Sequence, residues 1–233
     1  MTDTSTGIKA LIFDFDGLIL DTESPDYQSW QETYQAHGGS ISFSEWAKWI
    51  GTMGTFDPYA YLEEQLGRPV DRAAIRAQQR ARFAELVAGQ PILPGVREYI
   101  HRAKRLGLKL GIASSSSQDW ILSRLGPLGL EPYFDSVSSS DDVERTKPDP
   151  AVYLAALKAL HVKAHQAIAL EDSPNGVLAA RRAGIYCVAV PNALTRQLSL
   201  DHADLQLESL ADLPLEELLA QATGAVNPQA PVT

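Results

Sequence analysis

Residues 11–23 read LIFDFDGLILDTE, and in that stretch an apolar run ends on a carboxylate. Ala10 to Phe13 are apolar without a break, then Asp14 and Asp16 bracket Phe15, and Gly17 follows. An apolar run that does not alternate is expected of a strand buried on both faces, as in a parallel sheet. The pattern recurs in LKLGIA before Ser114, AIAL before Glu171 and YCVAV before Pro191. Amphipathic stretches of helical length lie between the runs: VREYIHRAKRLG from Val96, AVYLAALKALHV from Ala151 and VLAARRAG from Val177. Gly107 and Gly184 stand where helices would end. Strand and helix in alternation predict an α/β fold, a doubly wound parallel sheet.

One segment breaks the alternation. Between about Glu23 and Ala88 there are helical segments and no strand pattern, and they close in turn on Gly38-Gly39, Gly51, Gly67 and Gly89. Pro91, Pro94 and Gly95 in GQPILPG mark the return to a new helix. The expected organisation is therefore a core of residues 1–20 and 92–223, an inserted all-helical cap over 21–91, and a flexible tail over 224–233.

Composition narrows the function classes. The 233 residues carry 20 Lys and Arg against 29 Asp and Glu, a formal charge of −9, which argues against nucleic acid or an anionic membrane as the main partner. Cys187 is the single cysteine, so no internal disulfide can form, and its apolar neighbours make it a core thiol. MTDTSTG lacks the features of a signal peptide, and no apolar run nears the ~20 residues of a membrane helix. A cytoplasmic protein, monomer or weak homodimer, is the expectation.

In a doubly wound sheet, ligands bind beyond the carboxyl ends of the strands. The residues at those ends are Asp14-Phe15-Asp16-Gly17, Ser114 to Ser117, and Glu171-Asp172-Ser173, and Lys147 lies between the last two in RTKPDP. Each alone also fits a turn, a helix start or a solvated side chain. Together, in this order and strand context, they resemble the four motifs of the haloacid dehalogenase-like hydrolase superfamily. The resemblance runs from about Ile8 to Leu207. A helical insertion directly after the first motif is similar to the cap of the branch that includes β-phosphoglucomutase and phosphoglycolate phosphatase. It implies a Rossmann-like core and a phosphatase with an aspartyl-phosphate intermediate.

The resemblance implies that Asp14 is the nucleophile, which splits a very slow hydrolysis into two easier steps. A carboxylate approaching an anionic phosphoryl group needs a divalent cation, and oxygen ligands suit Mg²⁺. The implied ligands are Asp14, the backbone carbonyl of Asp16, and Asp172, with Glu171 either a ligand or a residue that orients the others. Lys147 would keep Asp14 ionised, and Ser114, with backbone amides after it such as that of Ser115, would donate to phosphoryl oxygens. Asp16 is read as the general acid and base, protonating the leaving alkoxide and then deprotonating water. Haloacid dehalogenases lack this second aspartate, so Asp16 favours phosphoryl transfer over carbon–halogen cleavage.

Substrate contacts are expected from Gly17, which turns the chain towards the cap, and from Glu23, although Asp21-Thr22-Glu23 also fits a helix start capped by Thr22 or Ser24. In the cap, Thr52 and Met53 of the GTMG turn are the candidates, while most of its aromatics form a small core. No Lys or Arg occurs between Trp49 and Gly67, where a phosphohexomutase would place an arginine for its second phosphate. Arg72, Arg76 and Arg80 share one helix face and read as solvated. The expected activity is hydrolysis of a small phosphorylated metabolite such as a sugar phosphate. A β-phosphoglucomutase-like mutase and a catalytically idle phospho-ligand binder are the alternatives.

Overall fold

The computed structural model describes residues 7–48, 50 and 56–226. After β1 (Ala10–Phe13) come four helices, α1 (Glu23–Ala36), α2 (Phe43–Trp46), α3 (Pro58–Leu66) and α4 (Arg72–Ala88). The alternation then starts: α5 (Val96–Arg105), β2 (Lys109–Ala113), α6 (Gln118–Leu128), β3 (Ser136–Ser138), α7 (Ala151–Leu160), β4 (Ala167–Glu171), α8 (Pro174–Arg182), β5 (Tyr186–Ala189), β6 (Leu205–Gln206) and α9 (Leu215–Val226). The six strands form one sheet in the order β3-β2-β1-β4-β5-β6, and every pairing is parallel.

Strand β1 is fully buried, and the period of two along it sorts its residues between two cores. Leu11 and Phe13 join Leu110, Ile112, Ile168, Leu170 and Val188 in a core covered by α5, α6 and α9. Ala10 and Ile12 join Ala113, Ala167, Ala169, Cys187 and Ala189 in a core covered by α7 and α8. The first face carries large side chains and the second mostly small ones. The continuous apolar runs are thus two alternating patterns superposed. β1 lies between β2 and β4, so the connections leave it in opposite directions, and the crevice of a doubly wound sheet opens at its carboxyl end.

The four helices after β1 enclose their own apolar cluster, with Trp30, Tyr34, Ile41, Trp46, Ile50, Leu62 and Ile75. Leu194, from the loop after β5, joins it. Caps set the helix starts: Asp57 accepts from the amides of Tyr59 and Ala60, both at 3.0 Å, and Asp71 accepts from those of Ala73 and Ala74. The two chain crossings lie side by side, since Leu20 pairs antiparallel with Ile92 and the Leu93 amide donates to the Ile19 carbonyl at 3.0 Å. At Gly95 φ is +81°, and a Cβ would come within 2.3 Å of the Ala211 amide nitrogen, so only glycine lets α5 start there.

Several expectations need correction. The tail was expected to start at Gly224, but α9 continues to Val226, because buried Leu215, Leu218 and Ala222 anchor it to the sheet. Thr22 does occupy the position before α1, yet its hydroxyl makes no cap, and Asp21 accepts from the Ser24 amide at 3.0 Å instead. The sequence pattern also failed to signal β3, β6 and α6. The first two are short and edge-like, and α6 carries Gly126 and Pro127 in its last turn.

Candidate active site

The sheet parity that sorts the core also aims the acids. Asp14 continues the β1 face of Ala10 and Ile12, and Glu171 continues the β4 face of Ala167 and Ala169. They therefore meet on one side of the sheet, at neighbouring strand ends. Phe15, of opposite parity, is fully buried in the other core and anchors the turn. Lys147, 2% exposed, arrives from the loop before α7. Its Nζ lies 2.8 Å from Asp14 Oδ1 and 2.7 Å from Glu171 Oε1. Tyr153 of α7 donates to the same Glu171 oxygen at 2.5 Å, and Ser173 donates to Oε2 at 3.5 Å. A Cβ on Gly176 would lie 1.9 Å from Glu171 Oε2, so α8 begins against that carboxylate only because residue 176 is glycine. Asp14 Oδ1 also accepts from the Phe15 amide at 2.6 Å.

Asp172 is buried beside this group, and Asn192 donates to its Oδ2 at 2.8 Å and to the Gly17 carbonyl at 3.2 Å. Gly17 has φ +80°, and a Cβ there would sit 2.2 Å from Asp172 Oδ2. The turn after Asp16 thus closes over Asp172, and no side chain fits between them.

Charge in this floor is unbalanced. Asp14, Glu171 and Asp172 offer carboxylate oxygens within 4.8 Å of one another, and Lys147 is the cation among them. Burial first, then Glu171, push the Asp14 carboxyl well above its ordinary range, against the pull of Lys147. Burial and the charges of Asp14 and Glu23 do the same to Asp172. Burial would push Lys147 down, but Asp14 and Glu171 reverse that and hold it protonated. Three buried carboxylates, all oxygen donors, with one ammonium fit a hard divalent cation. Asp14 and Asp172 are the better placed to bind it, since both Glu171 oxygens are already engaged by Lys147, Tyr153 and Ser173.

Asp16 sits apart from this group, on the rim. Its Oδ1 accepts from Thr22 Oγ1 at 2.8 Å and Trp120 Nε1 at 2.9 Å, and its Oδ2 from Ser116 Oγ at 2.6 Å and Ser114 Oγ at 3.3 Å. Ser114, buried at the end of β2, thus points its hydroxyl at Asp16 and accepts from the Ser116 amide at 3.0 Å. Ser115 lies half-buried between them. Glu23 opens α1, and burial followed by the charges of Asp16, Asp26 and Asp14 pushes its carboxyl well above its ordinary range. Thr52 and Met53 lie outside the described residues.

Sequence reading missed Trp120, Ser116, Tyr153, Asn192 and Gly176. Tyr153 looks like a core aromatic of an amphipathic helix, and Asn192 like a turn residue. Only the run Ser114 to Ser117 held a signal for Ser116. The arginines at 72, 76 and 80 are exposed: Arg72 pairs with Asp57 at 2.9 Å and with Glu63, and Arg76 lies over the Tyr59 ring.

The family model described as haloacid dehalogenase-like hydrolase matches residues 11–190. Protein YhcW of Bacillus subtilis (strain 168), whose name gives phosphatase as a provisional activity, is 46% identical over 91% of this chain and 96% of its own. Hexitol phosphatase B of Escherichia coli (strain K12) is 31% identical over 93% of this chain and 99% of its own. Among solved structures, CbbY from Rhodobacter sphaeroides in complex with phosphate superposes with a TM-score of 0.73 at 32% identity, covering 88% of this chain and 96% of that one.

Proposed function

The chain belongs to the haloacid dehalogenase-like hydrolase family and is a phosphatase, and from that premise we propose that it hydrolyses a sugar or polyol monophosphate, with Mg²⁺, through a phosphoryl group carried on Asp14. The observation that carries this reading is the meeting of Asp14, Lys147, Glu171 and Asp172 at the carboxyl ends of β1 and β4. The names of the relatives support the substrate class, since one is a hexitol phosphatase and another a validoxylamine A 7'-phosphate phosphatase, 30% identical.

Asp14 Oδ1 is held by Lys147 and by the Phe15 amide, which leaves Oδ2 to attack phosphorus. Mg²⁺ held by Asp14, Asp172 and the Asp16 carbonyl would neutralise charge on the phosphoryl oxygens. Glu171, fixed by Tyr153 and Ser173, holds Lys147 against Asp14, and Lys147 pulls that carboxyl back toward its ionised form. As the phosphorus–oxygen bond to the sugar breaks, the leaving oxygen takes a proton from Asp16. Asp16 then accepts a proton from water, the water oxygen attacks phosphorus, and phosphate leaves with Asp14 regenerated. Gly17 and the backbone after Ser114 bound the space for the phosphoryl group, and Glu23 borders the substrate side.

The test is phosphate release from a panel of sugar, polyol and nucleoside monophosphates with the purified chain and Mg²⁺. Turnover of a sugar or polyol phosphate that EDTA abolishes is expected. A folded protein that releases phosphate from none of them overturns the reading. Isomer formation exceeding phosphate release, with a bisphosphate primer present, would replace it with a mutase.

A further inference from the structure

Trp120 has no place in the chemistry above, yet it touches the two parts that chemistry must coordinate. Its indole Nε1–H donates to Asp16 Oδ1 at 2.9 Å. Its ring stacks on Phe83, with centroids 5.4 Å apart and planes 10° from parallel. Trp120 belongs to the first turn of α6, in the core, and Phe83 to α4, in the helical insertion. One side chain thus bridges the carboxylate on the rim and a helix of the cap.

The kind of donor matters. Asp16 accepts from three hydroxyls and one indole. A hydroxyl can donate to a carboxylate or accept from a carboxylic acid, so Thr22, Ser114 and Ser116 can each follow a change of protonation. An indole N–H only donates. Trp120 therefore gives Oδ1 a donor whose direction is set by the ring, whereas the three hydroxyls can rotate. Stacking fixes the ring plane and hence the direction of the N–H.

We propose that Trp120 is a positioning residue for Asp16: its indole N–H holds the orientation of the carboxylate, and its stacking on Phe83 ties that orientation to the position of α4. This rests on the reading of Asp16 as the acid and base.

The experiment measures kcat and KM of the full chain with Mg²⁺, using 4-nitrophenyl phosphate and the best monoester of the panel. Trp120→Phe keeps the ring and removes the N–H. It is expected to lower kcat about 10- to 30-fold, the scale of one hydrogen bond to a charged group, with KM within about two-fold and Tm little changed. In an Asp16→Asn background the same change is expected to lower kcat by less than about two-fold. Phe83→Leu is expected to lower kcat about 3-fold, with Phe83→Tyr restoring it. A Trp120→Phe enzyme with wild-type kcat, or an equal fall with and without Asp16, overturns the inference. Full turnover by Asp16→Asn alone would instead overturn the reading of Asp16 and leave the family chemistry at Asp14 standing.

Discussion

The floor of the crevice and its rim are built by different means. On the floor, Asp14, Lys147, Glu171 and Asp172 are each no more than 5% exposed and come from strand ends or from the loop packed on them. Their positions follow from sheet register: β1 and β4 pair with Phe13 opposite Leu170, so the residue after each pair lands on its neighbour. The rim is Asp16 with Thr22, Ser114, Ser116 and Trp120, and its donors come from the residue before α1, the loop after β2 and a helix that also meets α4. A register cannot slip without turning every side chain over, whereas a rim held by hydroxyls and a stacked ring can rearrange. The groups proposed to make and break bonds sit where the fold is least adjustable, and the group proposed to transfer the proton sits where the sheet meets the helices inserted after β1.

The sharpest test of that division is Asp14→Asn. The shape of the floor is preserved and the nucleophile is lost, so turnover should fall by at least about 10⁴-fold while Tm holds or rises, since a carboxyl strained by burial becomes neutral. Appreciable activity in that variant, assayed as phosphate release, would refute the assignment of the nucleophile. Lys147→Met should act on both counts. It leaves Asp14 and Glu171 buried without their cation, so kcat should fall by about 10²-fold or more and stability by about 3 kcal/mol. Chemical denaturation beside the activity assay separates the two, and a variant that loses activity at full stability would show that the lysine serves the reaction alone.

The floor was far more legible in the sequence than the rim, and the same difference explains why. Asp14 and Glu171 directly follow apolar runs and Asp172 is the next residue, so a period and a strand end locate them without any tertiary information; on the rim the same signal locates only Ser114. Lys147 needed the family resemblance, because a lysine in a loop carries no periodic signal. Trp120, Tyr153 and Asn192 act through contacts 104, 18 and 20 residues away along the chain, and nothing local distinguishes them from core or turn residues. Gly17 and Gly176 could be seen as breaks, but the reason for each is a carboxylate that folding brings to within 2.2 Å and 1.9 Å of a missing Cβ. Position alone leaves the cap of α1 open between Thr22 and Ser24, and neither reading shows that the Thr22 hydroxyl has an acceptor in Asp16.

Asp26 offers a smaller test, on the cap side of the crevice. It lies in the first turn of α1, and Gln79 of α4 donates to its Oδ1 at 3.0 Å. Burial, with the charge of Asp16 adding to it and the Gln79 hydrogen bond opposing it, raises its carboxyl from 3.8 to about 7. A carboxyl raised in the folded state binds its proton more tightly there than in the unfolded chain. Its ionisation therefore costs stability, by an amount absent below 3.8, growing as pH rises, and complete above about 7. Asp26→Asn keeps the acceptor for Gln79 and removes the charge. It should raise stability by about 1–2 kcal/mol at pH 8 and have no effect near pH 3.5. Denaturation midpoints at the two pH values decide it: an equal gain at both would mean that the charge of Asp26 is not what strains this edge of the cap.

The smallest effect is expected deep in the helices inserted after β1, away from the acidic floor. Tyr34 is fully buried and donates to the Pro58 carbonyl at 2.5 Å, joining α1 to the start of α3. Its ring packs against Trp30 and Tyr61, with centroids 6.1 Å away in both cases. Tyr34→Phe keeps those contacts and leaves one half-buried carbonyl without its donor, at a cost of about 1 kcal/mol. For a chain of this size that lowers Tm by about 2–4 °C. If the cap core only supports the rim, kcat and KM stay at the wild-type values while Tm falls. If kcat falls with it, the aromatic core transmits its packing to Asp16, and the separation between floor and cap is weaker than the hydrogen bonds alone indicate.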